Sequence, residues 1–126
     1  MSDPEDRPAI VIARTKIGDA ELRRLVGQYF GDMVKLVVDV RRQLVAVGGE
    51  LHADAEAVLL ENGSAQQDLW GANYYPGHEP DLCVEFTALI NIRPARGNRS
   101  MEIEDAATRD TVRAIVHALV GAGGVR

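Results

Sequence analysis

Arg93, Arg96, Asn98 and Arg99 lie close around Gly97 in the stretch IRPARGNRS. Guanidinium forks match the geometry of carboxylates and phosphates. A glycine lets the backbone approach an anion closely. This spacing predicts a small anion site, with Glu102 just beyond it. It is not a phosphate-binding P-loop, which needs a longer glycine-rich span ending in Lys-Ser or Lys-Thr. The competing reading pairs these arginines with Glu102, Glu104 and Asp105, at about 0–1 kcal/mol per exposed pair.

A second group is the run His52-Ala-Asp54-Ala-Glu56. As a strand it sets three polar side chains on one face, about 6.5–7 Å apart. As a helix it puts His52 and Glu56 on one face and turns Asp54 away. Either layout offers ligands to a divalent metal, although no HExxH pattern is present. The competing reading is a solvated helix N-terminus, with His52 or Asp54 as its cap. A third group is Trp70, Asn73, Tyr74 and Tyr75, aromatic rings with polar handles of the kind that line recognition surfaces. Alternation puts Trp70 and Tyr74 on one strand face and Asn73 and Tyr75 on the other.

Several elements must position these groups. The stretch from Val84 reads as a two-faced strand, with Val84, Phe86, Ala88, Ile90 and Ile92 inward and Thr87, Asn91 and Arg93 outward. It delivers Arg93 into the Pro/Gly loop. Asn73 and Asn91 then share a polar sheet face if the strands at 69–75 and 84–93 pair as antiparallel neighbours. Ile10 to Ile12 predicts a short buried strand. Leu22, Leu25, Val26 and Tyr29 recur at helical spacing, and Gly31 ends that helix. Val34–Val40 and Leu44–Val47 predict a hairpin with a long or bulged turn, since Arg41-Arg42 suits a tight one poorly. Residues 50–61 satisfy both periodicities. Their Ala and Glu content favours a helix over about 53–61, with Asn62-Gly63 as its end. Ser64 with Gln67 suits one further short turn. A final helix over about 106–120 starts at Asp105.

Composition sets the limits. A chain of 126 residues with 46% hydrophobic and 26% charged residues suits one globular domain. A disordered lead-in over 1–8, a domain over 9–120 and a frayed tail over 121–126 are expected. The single cysteine, Cys83, excludes an intramolecular disulfide and a cysteine-based zinc cluster. A net charge of −5 disfavours a broad grip on nucleic acid. No apolar run approaches the roughly 20 residues that span a bilayer. A cytoplasmic location is expected.

The segments GGELHADAE (48–56), LWGANYYP (69–76) and FTALINIRPARGNRSMEIED (86–105) resemble a small prokaryotic family of unknown function, number 5674. The likeness covers about residues 10–120. It implies a prokaryotic origin and a stand-alone domain. It implies no activity, substrate or catalytic residue.

The fold expected is α+β: a mostly antiparallel sheet of about five strands, covered by two or three helices, with the first and last helices on one face. The leading expectation for function is a binding domain. Asn73, Asn91, Arg93, Arg96, Asn98, Arg99 and Glu102 would gather into one site for a small anionic or nucleotide-like ligand, or for a partner protein's acidic segment. In this reading Trp70 or Tyr75 offers a stacking surface, and no cofactor is required. The rival is a hydrolase with a divalent metal on some of His52, Asp54, Glu56 and Glu102. A third reading is a structural subunit that dimerises through an exposed sheet face or edge.

Overall fold

The computed structural model describes residues 8–125. The expected lead-in falls mostly outside them. Eight main elements follow one another: β1 (Ile10–Ala13), α1 (Asp19–Tyr29), β2 (Val34–Asp39), β3 (Leu44–Gly48), α2 (His52–Glu61), β4 (Leu69–Tyr74), β5 (Val84–Glu85) and α3 (Ala106–Leu119). The strands form one sheet in the order β1-β3-β2-β4-β5. Every pairing is antiparallel. The fold is α+β, as expected.

Each sheet face has its own core. On one face Leu36, Val38, Val45, Val47, Trp70, Ala72 and Tyr74 meet Leu22, Leu25 and Val26 of α1 and Val112, Ile115 and Val116 of α3. On the other face Val37, Leu44, Ala46 and Leu69 meet Ala55 and Leu59 of α2. This explains why β2, β3 and β4 read as nearly continuous apolar runs. Strands buried on both faces lose the polar half of the alternation.

Local chemistry sets the ends of the elements. The carboxylate of Asp105 accepts from Thr108 N at 2.9 Å and caps α3. Gly63, with φ of +99°, ends α2. The hairpin between β2 and β3 has a long turn, closed by Gln43 N donating to Asp39 O at 2.9 Å, with Gln43 itself left-handed at φ of +54°. Asp39 is fully buried and accepts from Arg41 N, Arg42 N and Ser64 Oγ. Ser64 therefore ties the hairpin to the end of α2, and does not cap the short 3₁₀ turn at Gln66–Asp68.

The stretch after β5 departs from the expected strand. Pairing in β5 stops at Glu85, and 3₁₀ turns follow at Leu89–Asn91 and Pro94–Arg96. The inward and outward assignments hold at Val84 and Ala88, which are buried, but fail beyond them: Ile92, set inward, is exposed, while Asn91, set outward, is fully buried. Phe86 packs on the first core and Ile90 on the second, so the chain wraps the sheet edge. The reason lies in one side chain. Asn91 Oδ1 accepts from Gly71 N at 2.8 Å, and Asn91 Nδ2 donates to Gly71 O at 3.0 Å. The carboxamide thus satisfies the free edge of β4 as a neighbouring strand's peptide group would. The same Nδ2 donates to Met101 O at 3.0 Å. Gly71 permits the close approach, since a Cβ there would lie 2.5 Å from Ala88 Cβ.

The C-terminal segment is held where fraying was expected. Gly124 N donates to His78 O at 2.7 Å, and Val125 N to Pro76 O at 2.9 Å. Gly123 N donates to Tyr74 Oη at 3.0 Å.

Asn91→Ala strips buried backbone groups of their partners at the sheet edge. At about 1–3 kcal/mol for each group left unsatisfied, the loss is about 3 kcal/mol or more. Thermal denaturation is expected to show a Tm about 10 °C lower. A loss below about 1 kcal/mol would show that this contact does not hold the edge.

Candidate functional site

The predicted site residues do not line one pocket. Asn91 is taken up by Gly71 and Met101. Asn98 is buried, with Nδ2 within reach of the carbonyls of Asn91, Ser100 and Glu102, and Oδ1 accepts from Glu104 N. Both asparagines knit the 86–104 segment to itself and to β4. Arg93 pairs with Glu56 of α2 at 3.3 Å, and its guanidinium lies 5.3 Å from the centre of the Trp70 ring. Burial pushes the Arg93 guanidinium below its ordinary value, while Glu56 supports its charge. Arg96 also covers the Trp70 ring and donates to Gln67 O. Arg99 and Glu102 are exposed. Glu104 accepts from the backbone N–H of Arg99 and Ser100, which holds its carboxyl below the usual range. Arg93 and Arg96 brace the loop against β4 and α2, so their guanidinium groups are engaged within the fold.

The metal set is dispersed as well. His52 and Glu56 follow one another along α2, but His52 engages Ala72 O and Glu56 engages Arg93. Asp54 is exposed in the first turn of the helix. Among the described residues no three His, Cys, Asp or Glu side chains are grouped to hold a metal ion.

What the fold does assemble is a groove of about 310 Å³ beside the N-terminus of α2. Its floor carries Lys35 of β2 and Asn73 of β4, with His52 and Thr87 beside them. Leu51, Leu89, Ile90 and Met101 form its apolar walls. Leu51 is 55% exposed, Leu89 72% and Met101 41%, so an apolar rim faces solvent. Lys35 and Asn73 are direct cross-strand partners, as are Asn73 and Glu85. Opposed residues hold their Cβ atoms about 4.5–5.5 Å apart. A cation, an amide and a carboxylate therefore stand in one row across β2, β4 and β5.

Asn73 is the centre of that row. It is 7% exposed. Its Nδ2 donates to Glu85 Oε1 at 2.7 Å and to Thr87 O at 3.3 Å. Both partners only accept, which fixes the orientation of the amide. Oδ1 is then left buried with no hydrogen-bond partner. Among the described residues the other buried side-chain atom of this kind is Arg93 Nη1, whose guanidinium rests on the Trp70 ring. His52 Nε2 lies 2.9 Å from Ala72 O. A carbonyl only accepts, so Nε2 carries the proton and Nδ1 of the neutral ring is an acceptor. Burial lowers the His52 pKa from its ordinary value, and the charge on Lys35 lowers it further. Ala72 O, Asn73 and Glu85 act the other way. No side chain caps α2. Its N-terminal N–H groups bring partial positive charge to the groove wall.

Asn73 and His52 were legible as polar candidates in the sequence, though His52 was assigned to metal chemistry. Lys35 was missed. The signal was present: it is the one basic residue inside the apolar run VKLVVD. Leu51, Leu89 and Met101 were also missed, since nothing in their neighbours marks them as a rim.

The lowered pKa of His52 links stability to pH. The unfolded chain binds a proton near pH 6.5, while the folded ring binds it only at lower pH. The stabilising contribution is complete above about pH 6.5 and is lost as pH falls through the folded value. Glutamine keeps an N–H donor for Ala72 O and does not titrate. His52→Gln is expected to lose less Tm than the native chain between about pH 7 and pH 5. Parallel melting curves check this, and identical pH slopes would refute it.

Among the described residues no helix is long and apolar enough to cross a membrane. Searches of curated proteins and of solved structures return no match to this chain. The sequence profile of the family described as "Protein of unknown function (DUF5674)" matches residues 11–119. That range takes in every strand except the first residue of β1, all three helices and the whole groove. The chain belongs to this DUF5674 family.

Proposed function

We propose that the chain is a small-ligand-binding domain whose site is the groove between the N-terminus of α2 and the 87–101 segment, and that its ligand carries an anionic group. The observation behind this reading is the buried, unpartnered acceptor Asn73 Oδ1 in a groove that Lys35 also lines, the Lys35 Nζ resting 5.1 Å from the centre of the Phe30 ring. An acceptor left without a donor in such a place costs about 1–3 kcal/mol. A ligand N–H or O–H offsets that cost. Lys35 and the uncapped start of α2 favour negative charge beside it. The groove's volume, about 310 Å³, lies at the small end of ligand sites. The proposal keeps the anionic ligand expected from the sequence but moves it from the arginine loop to Lys35. It also keeps a prokaryotic, cytosolic setting, with which the unpaired, buried Cys83 is compatible.

A thermal-shift series with carboxylates, phosphate and nucleotides tests the reading. A ligand at about 100 times its Kd adds roughly 2.7 kcal/mol, a Tm rise of several degrees for a domain of this size. The rise is expected to vanish in Lys35→Met and to persist in Arg99→Ala. Loss in Arg99→Ala with retention in Lys35→Met would return the site to the arginine loop.

A further inference from the structure

The row across β2, β4 and β5 has a polarity that a purely anionic ligand does not use. Lys35 is positive, Asn73 Oδ1 accepts, and Glu85 is negative, with each residue the direct neighbour of the next. Glu85 is exposed and accepts from Asn73 Nδ2 at 2.7 Å. An acceptor and a carboxylate side by side call for a ligand donor that carries positive charge. One strand away, Lys35 lines the same groove and offers a cation to a negative group of the ligand. The apolar rim of Leu51, Leu89 and Met101 lines one groove with Lys35 and Asn73 and is exposed to solvent, and Glu85 stands next to Asn73 on the neighbouring strand. Three chemical features are thus required of one small molecule: an ammonium, a carboxylate close to it, and an apolar body.

We infer that the groove binds an apolar α-amino acid, free and zwitterionic. The inference rests on the binding-domain reading above and narrows its ligand. The ammonium donates to Asn73 Oδ1 and faces Glu85. The carboxylate meets the Lys35 ammonium and the positive end of α2, where charge-assisted hydrogen bonds are the stronger kind. The aliphatic side chain covers Leu51, Leu89, Ile90 and Met101. His52 is held by Ala72 O and stays neutral at neutral pH, so it adds no second cation against the ligand's ammonium. The groove, at about 310 Å³, has room for one amino acid.

The test is an isotope-labelled NMR titration of the full chain, supported by calorimetry, with a set of related probes. L-leucine and L-methionine are the zwitterions. Leucinamide lacks the carboxylate, 4-methylpentanoate lacks the ammonium, and glycine lacks the apolar body. Leucine and methionine are expected to shift the amide signals of residues 35, 51–53, 73, 85–90 and 101, and each truncated probe to bind about tenfold more weakly or worse. Lys35→Met is expected to weaken leucine about tenfold and to leave leucinamide unchanged, which separates a lost contact from a disturbed fold. Glu85→Gln is expected to weaken leucine and to leave 4-methylpentanoate unchanged. If 4-methylpentanoate binds as well as leucine, the ammonium assignment is overturned while the groove stands as an anion site. If phosphate or a nucleotide shifts these signals and leucine does not, the amino-acid ligand is overturned and the broader reading survives. If no probe shifts them at about 10 mM, both fall.

Discussion

The carboxamide of Asn91 closes the sheet. β4 has β2 on one side, but on the other β5 pairs only with Asn73 and Tyr74. That leaves the edge at Gly71 with a donor and an acceptor to satisfy. An asparagine carboxamide presents an acceptor and a donor side by side, as the C=O and N–H of one residue in a paired strand do, so it satisfies both groups without a strand. Because one side chain suffices, the backbone is free to leave the sheet plane. It turns at Leu89–Asn91, passes Ile90 to the second core and returns through Asn98. The 87–101 wall of the groove exists because the strand does not.

The two-sided core makes the groove possible from the other direction. Gly48 and Gly49, both at positive φ, turn the chain out of β3. A Cβ at Gly48 would lie 2.2 Å from Ala9 O, so only glycine fits there. The turn lays α2 across the face that α1 and α3 leave open. Its buried residues, Ala55 and Leu59, sit toward the middle and end of the helix. Its first turn overhangs polar floor instead of core, and that overhang is the groove. Lys35 and Asn73 occupy the sheet positions that α2 does not cover.

Elements governed by strong local periodicity or by a cap were legible in the sequence. The α1 stripe up to Val26, the Asp105 cap, the Asn62-Gly63 helix end and the face assignment of Trp70 and Asn73 needed only neighbours in the chain, while Tyr29, the last member of that stripe, is exposed. The ambiguous 50–61 run resolved to helix, following the propensity of Ala and Glu over the alternation of His52, Asp54 and Glu56. The 84–93 stretch misled because its alternation was real in sequence. Nothing local reveals that Asn91, set on the polar side, will be drawn into a buried contact with a glycine twenty positions away. The arginine loop misled for a related reason. Trp70 and Glu56, which occupy Arg93, are remote in the chain, so the guanidinium looked free. The groove was legible only in parts: Asn73 and His52 stood out as polar, but the row with Lys35 and Glu85 depends on strand register.

The segment after α3 deserves weight out of proportion to its length. It lies beyond the residues that the family profile matches, yet Gly123 supplies the N–H that meets the Tyr74 hydroxyl, a side chain only 1% exposed. Gly121 packs so tightly on that phenol that a Cβ would lie 2.4 Å from its oxygen. A chain trimmed after Val120 would open the end of the first core to water and strand a phenol in it. The segment 121–125 works as a latch, and a boundary drawn from family likeness alone would cut it off.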